Sequence, residues 1–151
     1  MNFAVGFDGG NAKAIACYGY TVMTQDDKGV ITVTGEGYGK CHDELQTSNV
    51  AEWTGLFHGL MCALPQILTL KRECEIDKLL LCGDSQLVLR QLTGEYSVTK
   101  EHLRYYHSKC KSLVARIEQE GVVVVTNWDR RDTNKRADEL THVARRRYLG
   151  E

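Results

Sequence analysis

The hydrophobic period of this chain changes near residue 48, and that change restricts the folds open to it. Up to residue 40, apolar residues alternate with small or polar ones, the period of strands that bury one face. MNFAVGFD reads as a strand ending at Asp8, GGNAK as a turn and AIACYGYTVMTQ as a second strand. Asp26-Asp27-Lys28-Gly29 has hairpin chemistry, with Gly29 able to take positive φ. VITVTGEGYG then reads as a third strand, antiparallel to the second. From Ser48 onward, Val50, Trp53, Thr54, Phe57, Leu60, Met61 and Leu64 recur at helical spacing. Ser48 or Asn49 can cap this helix, and Glu52 sits in its first turn. Gly55 and Gly59 share nearly one face. Each interior Gly costs a helix about 1 kcal/mol relative to Ala, so the pair suggests a face lying against another backbone, unless both are simply tolerated.

The remaining segments alternate strand and helix. IDKLLLCGD reads as a buried strand ending at Asp84, and SQLVLRQL as a short helix broken by Thr93-Gly94. VTKEHLRYYHSKCKSLVARIEQE reads as a long amphipathic helix stopped by Gly121. VVVVTNW is another strand, and Thr133-Asn134 opens a last helix with Ala137, Leu140, Thr141, Ala144 and Tyr148 facing inward. The order is βββαβααβα. Its strand–helix–strand units require right-handed parallel crossovers, while the first three strands form a meander. The expectation is an α/β fold with a five-stranded mixed sheet flanked by helices. With 151 residues, 42% of them hydrophobic, and no repeat or linker, it should be a single domain over 1–151.

Composition excludes some classes. No stretch approaches the ~18 apolar residues of a membrane span, and no secretory signal is visible. The six cysteines form no CxxC pair and no zinc-finger spacing. They read as reduced thiols, which points to a cytoplasmic protein. Net charge is only −1 but segregated: residues 1–99 carry 7 Lys/Arg against 12 Asp/Glu, and residues 100–151 carry 12 against 8. The basic part suits a phosphate backbone and the acidic part suits cations, although such asymmetry is usually just solvated surface.

Four carboxylates stand at informative places. Asp8 and Asp84 end strands, Glu52 opens a helix and Asp138 lies in the last helix. If the strands of Asp8 and Asp84 are parallel neighbours, both emerge at the sheet edge where α/β folds place their sites. Taken singly, such an Asp is more often a cap or turn residue. Clustered, they repel one another unless cations intervene, and hard oxygen donors favour Mg²⁺ or Mn²⁺. Two such ions about 3.5–4 Å apart can activate water and stabilise a leaving oxygen in phosphoryl displacement.

Four local words sharpen this. FDGG at 7–10, TSNVAEWTGL at 47–56, CGDSQLVLRQL at 82–92 and NKRADELTHVA at 134–144 occur in order. Each resembles a motif of the type 1 ribonuclease H family: strand-DG, T-x-N-x-x-E opening a helix, DS opening a helix, and N-x-x-AD in the final helix. The resemblance covers nearly the whole chain. It implies a ribonuclease H-like fold and endonucleolytic hydrolysis of the RNA strand of RNA–DNA hybrids by a two-metal mechanism, leaving 5′-phosphate and 3′-hydroxyl ends. It implies two Mg²⁺ or Mn²⁺ ions held by Asp8, Glu52, Asp84 and Asp138. Apart from the resemblance, a monomer with no membrane attachment is expected. Thr47 and Ser48 match positions that contact the DNA-strand phosphate, though a plain helix cap explains them equally well. Asn49 and Gln86 match readers of the minor groove, where 2′-hydroxyls distinguish RNA, although Gln86 also fits a solvated helix residue. Asn134 matches a residue that supports the site; it also fits an N-cap.

The chain departs from the family in several places. The loop WDRRDTN lacks the histidine of many members. Arg130 or Arg131 stands there; Arg cannot exchange protons near neutral pH, so its role would be to hold phosphate or departing product. The inserted basic helix is missing, and Lys100, Arg104, Lys109 and Lys111 on the long helix are its partial substitutes. Asn11, in a shortened loop, is a candidate groove contact, and Tyr96 stands near the usual Trp. The competing readings are a non-catalytic nucleic-acid-binding module of this fold, a related DNA nuclease, and a fragment of an actin-like ATPase suggested by FDGGNAK.

Overall fold

A computed structural model describes residues 1–127 and 131–150, with the side chains of 131–133 left aside. The element order is β1 (Asn2–Ala12), β2 (Ile15–Gln25), β3 (Ile31–Lys40), α1 (Ser48–Leu70), β4 (Lys78–Gly83), α2 (Gln86–Thr93), α3 (Glu101–Glu118), β5 (Val123–Asn127) and α4 (Arg131–Leu149). The strands form one mixed sheet in the order β3-β2-β1-β4-β5. β1 pairs antiparallel with β2, and β2 with β3; β1 pairs parallel with β4, and β4 with β5. This five-stranded mixed sheet with its four helices is the architecture that the element order predicts.

The core lies between the sheet and α1. Phe3, Val5 and Phe7 alternate along β1 and are almost wholly buried with Trp53, Leu56, Leu60 and Ile67 of α1. The α1 glycines explain how closely the layers meet. A Cβ on Gly55 would stand 2.8 Å from the Asp8 carbonyl oxygen and 3.1 Å from that of Gly19, and one on Gly59 would stand 2.5 Å from Val5 Cγ1. Their role is therefore close approach rather than tolerance. α4 covers the other face, where a Cβ on Gly19 would run into the Ala137 carbonyl and stand 2.7 Å from the Thr141 nitrogen.

Several expected boundaries move. β1 does not end at Asp8: Gly9–Ala12 continue as a hairpin arm paired with β2, and the turn falls at Lys13 and Ala14, with φ of +51° and +62°. The parallel β1–β4 ladder does stop at Phe7–Gly83, one residue before both acids. α1 is capped by Thr47, whose hydroxyl accepts the Val50 N–H, so Ser48 and Asn49 are helical and Glu52 falls in the second turn. α3 starts at Glu101, three residues later than expected. α4 starts at Arg131, so Asn134 lies inside it rather than at its cap, and Tyr148 is 42% exposed instead of facing inward. Arg130 lies outside the described residues. No disulfide joins the six cysteines. Among the described residues no helix is long and apolar enough to cross a membrane.

Candidate metal centre

Asp8 and Asp84 reach one end of the sheet because β1 and β4 run parallel in register, with Phe7 opposite Gly83. Helix packing brings in the other two acids. Gly9 has no side chain to hold α1 away, since a Cβ there would run into the Ala51 carbonyl carbon and stand 2.5 Å from the Glu52 nitrogen. Gly19, opposite Asp8 in the β1–β2 ladder, does the same for α4 at Ala137.

The carboxylates feel one another. Burial pushes the Asp8 carboxyl up to about 7, helped by a hydrogen bond with Asp138, the charge of Asp138 and, less strongly, that of Asp84; the Gly9 N–H opposes the rise. Burial also raises Glu52, with the Asp84 charge adding and a hydrogen bond from Ser85 opposing. The four sequence-predicted acids thus come together through the pairs Asp8–Asp138, Asp8–Asp84 and Glu52–Asp84. They do not close on one point: among the described residues, no three His, Cys, Asp or Glu side chains are placed to hold an ion. The donor set nevertheless suits a hard divalent cation. It is all oxygen, and a carboxyl shifted to about 7 by burial and neighbouring anions is relieved by a bound cation. Asn134 is 3% exposed, and its Oδ1 has no partner among the described residues.

Several polar residues flank these acids along the chain. Asn11 Nδ2 donates to the Gln46 carbonyl at 3.1 Å, and Ser48 Oγ donates to Asn11 Oδ1 at 3.0 Å, tying the hairpin to the start of α1. Thr47 accepts from Val50 and keeps its own O–H to donate. Ser85 caps α2 by accepting the Val88 N–H, and Gln86 is the first residue of that helix. Sequence reasoning passed over Ser85, although it stands in the word CGDS, and also the two seating glycines, Gly9 and Gly19. His142, one turn beyond Asp138, places Nε2 3.6 Å from its Oδ1.

Residues 7–144 match the family described as reverse transcriptase-like. Ribonuclease HI of Halobacterium salinarum is 29% identical over 123 residues, which is 82% of this chain and 53% of the relative. The chain thus spans about half the length of the curated relative it matches. Among solved structures, the N-terminal RNase H domain of a Mycobacterium tuberculosis protein aligns with a TM-score of 0.76 at 25% identity, covering 95% of this chain and 98% of that one. RNase H1 of the halophilic archaeon Halobacterium salinarum aligns with a TM-score of 0.74 at 27% identity, covering 95% and 97%. LC11-RNase H1, isolated from compost and solved in complex with an RNA/DNA hybrid, aligns with a TM-score of 0.69 at 26% identity, covering 97% and 99%.

Proposed function

Since the chain belongs to the reverse transcriptase-like family and has the ribonuclease H fold, we propose that it hydrolyses the RNA strand of RNA–DNA hybrids with two Mg²⁺ or Mn²⁺ ions, leaving 5′-phosphate and 3′-hydroxyl ends. One observation carries this reading: acids from β1, α1, α4 and the turn after β4 come into electrostatic contact, and burial plus neighbouring anions raise Asp8 to about 7. A fold spends stability on such repulsion where a cation or a proton is to be bound.

In this reading Asp8, Glu52, Asp84 and Asp138 hold the ions. When bound, the ions supply an activated water and stabilisation of the departing 3′-oxygen. Ser85 orients Glu52 through its hydroxyl, and Asn134 supports α4 beside Asp138. Thr47 offers its hydroxyl hydrogen to a phosphate oxygen of the DNA strand. Ser48 joins it only by giving up its bond to Asn11. Asn49 and Gln86 read the minor groove, where the 2′-hydroxyl is both donor and acceptor. Arg130 and Arg131 hold phosphate without exchanging protons. The likeness to a structure holding an RNA/DNA hybrid supports this choice of substrate.

Labelled hybrid, duplex RNA and duplex DNA, incubated at low salt with Mg²⁺, with Mn²⁺ or with EDTA, test the proposal. The hybrid should be cut in its RNA strand only when metal is present. Asp84→Asn should lower the rate about 10²–10³-fold or more, the scale of losing an electrostatic element of the transition state. Duplex DNA cut as fast as the hybrid, with the Asp84→Asn control silent, would make this a DNA nuclease of the same fold. Binding without cleavage would make it a non-catalytic module.

A further inference from the structure

Asp138 is held differently from the other three acids. Asp8 and Asp84 are set by strand register, and α1 buries large side chains against β1. Among the described side chains, the buried face of α4 consists of Asn134, Ala137, Leu140, Thr141 and Ala144, and its backbone rests on Gly19. A contact made mostly of small residues brings backbones close, but it offers fewer interlocking ridges against sliding. A polar contact supplies that restraint. Arg136 donates from Nε and Nη2 to the two carboxylate oxygens of Glu36 on β3, both at 2.8 Å, and from Nη1 to Glu139 at 3.1 Å. A guanidinium gripped on both edges of its fork has a fixed direction. Asp138, whose carboxyl hydrogen-bonds with Asp8, follows it by two positions.

We propose that Glu36 and Arg136 form a positioning pair that fixes α4 along the sheet, sets Asp138 beside Asp8, and thereby sets how tightly a divalent ion is held. This rests on the metal reading given above. Both side chains are well exposed, 44% for Arg136 and 37% for Glu36, and exposed ion pairs contribute little to stability. The consequence of breaking the pair therefore falls on position rather than on folding.

The sign of the effect separates position from simple electrostatics. A cation near the acids repels a divalent ion, so removing Arg136 should tighten metal binding if only its charge matters. Replacing it with Lys should then change nothing. Positioning demands the reverse in both cases, because neither Ala nor Lys can grip Glu36 along two edges. Electron paramagnetic resonance of free Mn²⁺ during titration of the wild type, Arg136→Ala, Arg136→Lys and Asp138→Asn measures this directly, with metal-free melting curves run alongside. Both Arg136 variants should bind Mn²⁺ about tenfold more weakly, the usual scale for a group that orients a ligand. Their melting temperatures should move by no more than about 4 °C. Binding as tight as wild type, or tighter, in both Arg136 variants overturns the proposal. If the wild type binds no Mn²⁺, the metal reading itself fails; if Asp138→Asn binds it as tightly as the wild type, Asp138 holds no ion; in either case the positioning role falls.

Discussion

Asp8 carries the electrostatics of the site in its own titration. An ordinary Asp loses its proton near 3.8; here burial first, then the neighbouring Asp138 carboxyl, delays that loss to about 7. Between these values the folded protein keeps a proton that the unfolded chain has released. Stability without metal therefore falls as pH rises through that window and is lowest above about pH 7. Asp8→Asn removes this dependence. At pH 8 in EDTA the variant should melt roughly 4 °C above the wild type, the shift that about 1 kcal/mol gives in a domain of this size, and the gap should close toward pH 4. Mg²⁺ must displace the same proton, so its stabilisation of the wild type should grow between pH 5.5 and 8. Melting curves across that range decide the matter, and a gap that ignores pH would detach Asp8 from the cluster.

Among the elements, α1 shows how local preference yields to packing. By helix propensity alone, Gly55→Ala should stabilise by about 1 kcal/mol. Against this, the new Cβ would stand 2.8 Å from the Asp8 carbonyl oxygen, a backbone atom with no rotamer to yield. Overpacking of this kind costs about 1–3 kcal/mol and should win. Gly55→Ala is predicted to lower unfolding free energy by up to about 2 kcal/mol in urea titrations and to weaken Mg²⁺ binding, because it pushes on the strand that carries Asp8. A gain in stability would mean that the helix and β1 part more easily than their spacing implies.

Across the whole molecule, charge segregation becomes surface. Lys100, Arg104, Lys109 and Lys111 are all exposed at and along α3, so the basic part of the chain is available to a phosphate backbone. If these four supply the main phosphate contacts, hybrid affinity should fall about a hundredfold between 50 and 200 mM salt, from a slope of about −0.9 per contact. Lys100→Ala with Arg104→Ala should flatten that slope by about two contacts. Fluorescence anisotropy in EDTA measures both, and an unchanged slope in the double variant would move the hybrid's path off α3.

Element order, the mixed sheet and the places of the four acids on their elements were legible in the residues because each is encoded locally. Periods of 2 and 3.6 separate strands from helices, and a motif keeps its acid at a fixed place on its own element. What was not legible depended on partners distant in the chain. Gly9, Gly10 and Asn11 have turn chemistry, yet they extend β1 because β2 offers them partners through Ala16. Thr47 rather than Ser48 caps α1, a difference of one residue decided by where the loop delivers the chain. Ser85 serves Glu52, and Arg136 meets Glu36 across 100 positions. Spacing along the chain said nothing of these pairings, because a side chain's partner is set by which elements pack together. Local preference places an acid on a helix; only the seating of α4 on Gly19 brings Asp138 to Asp8.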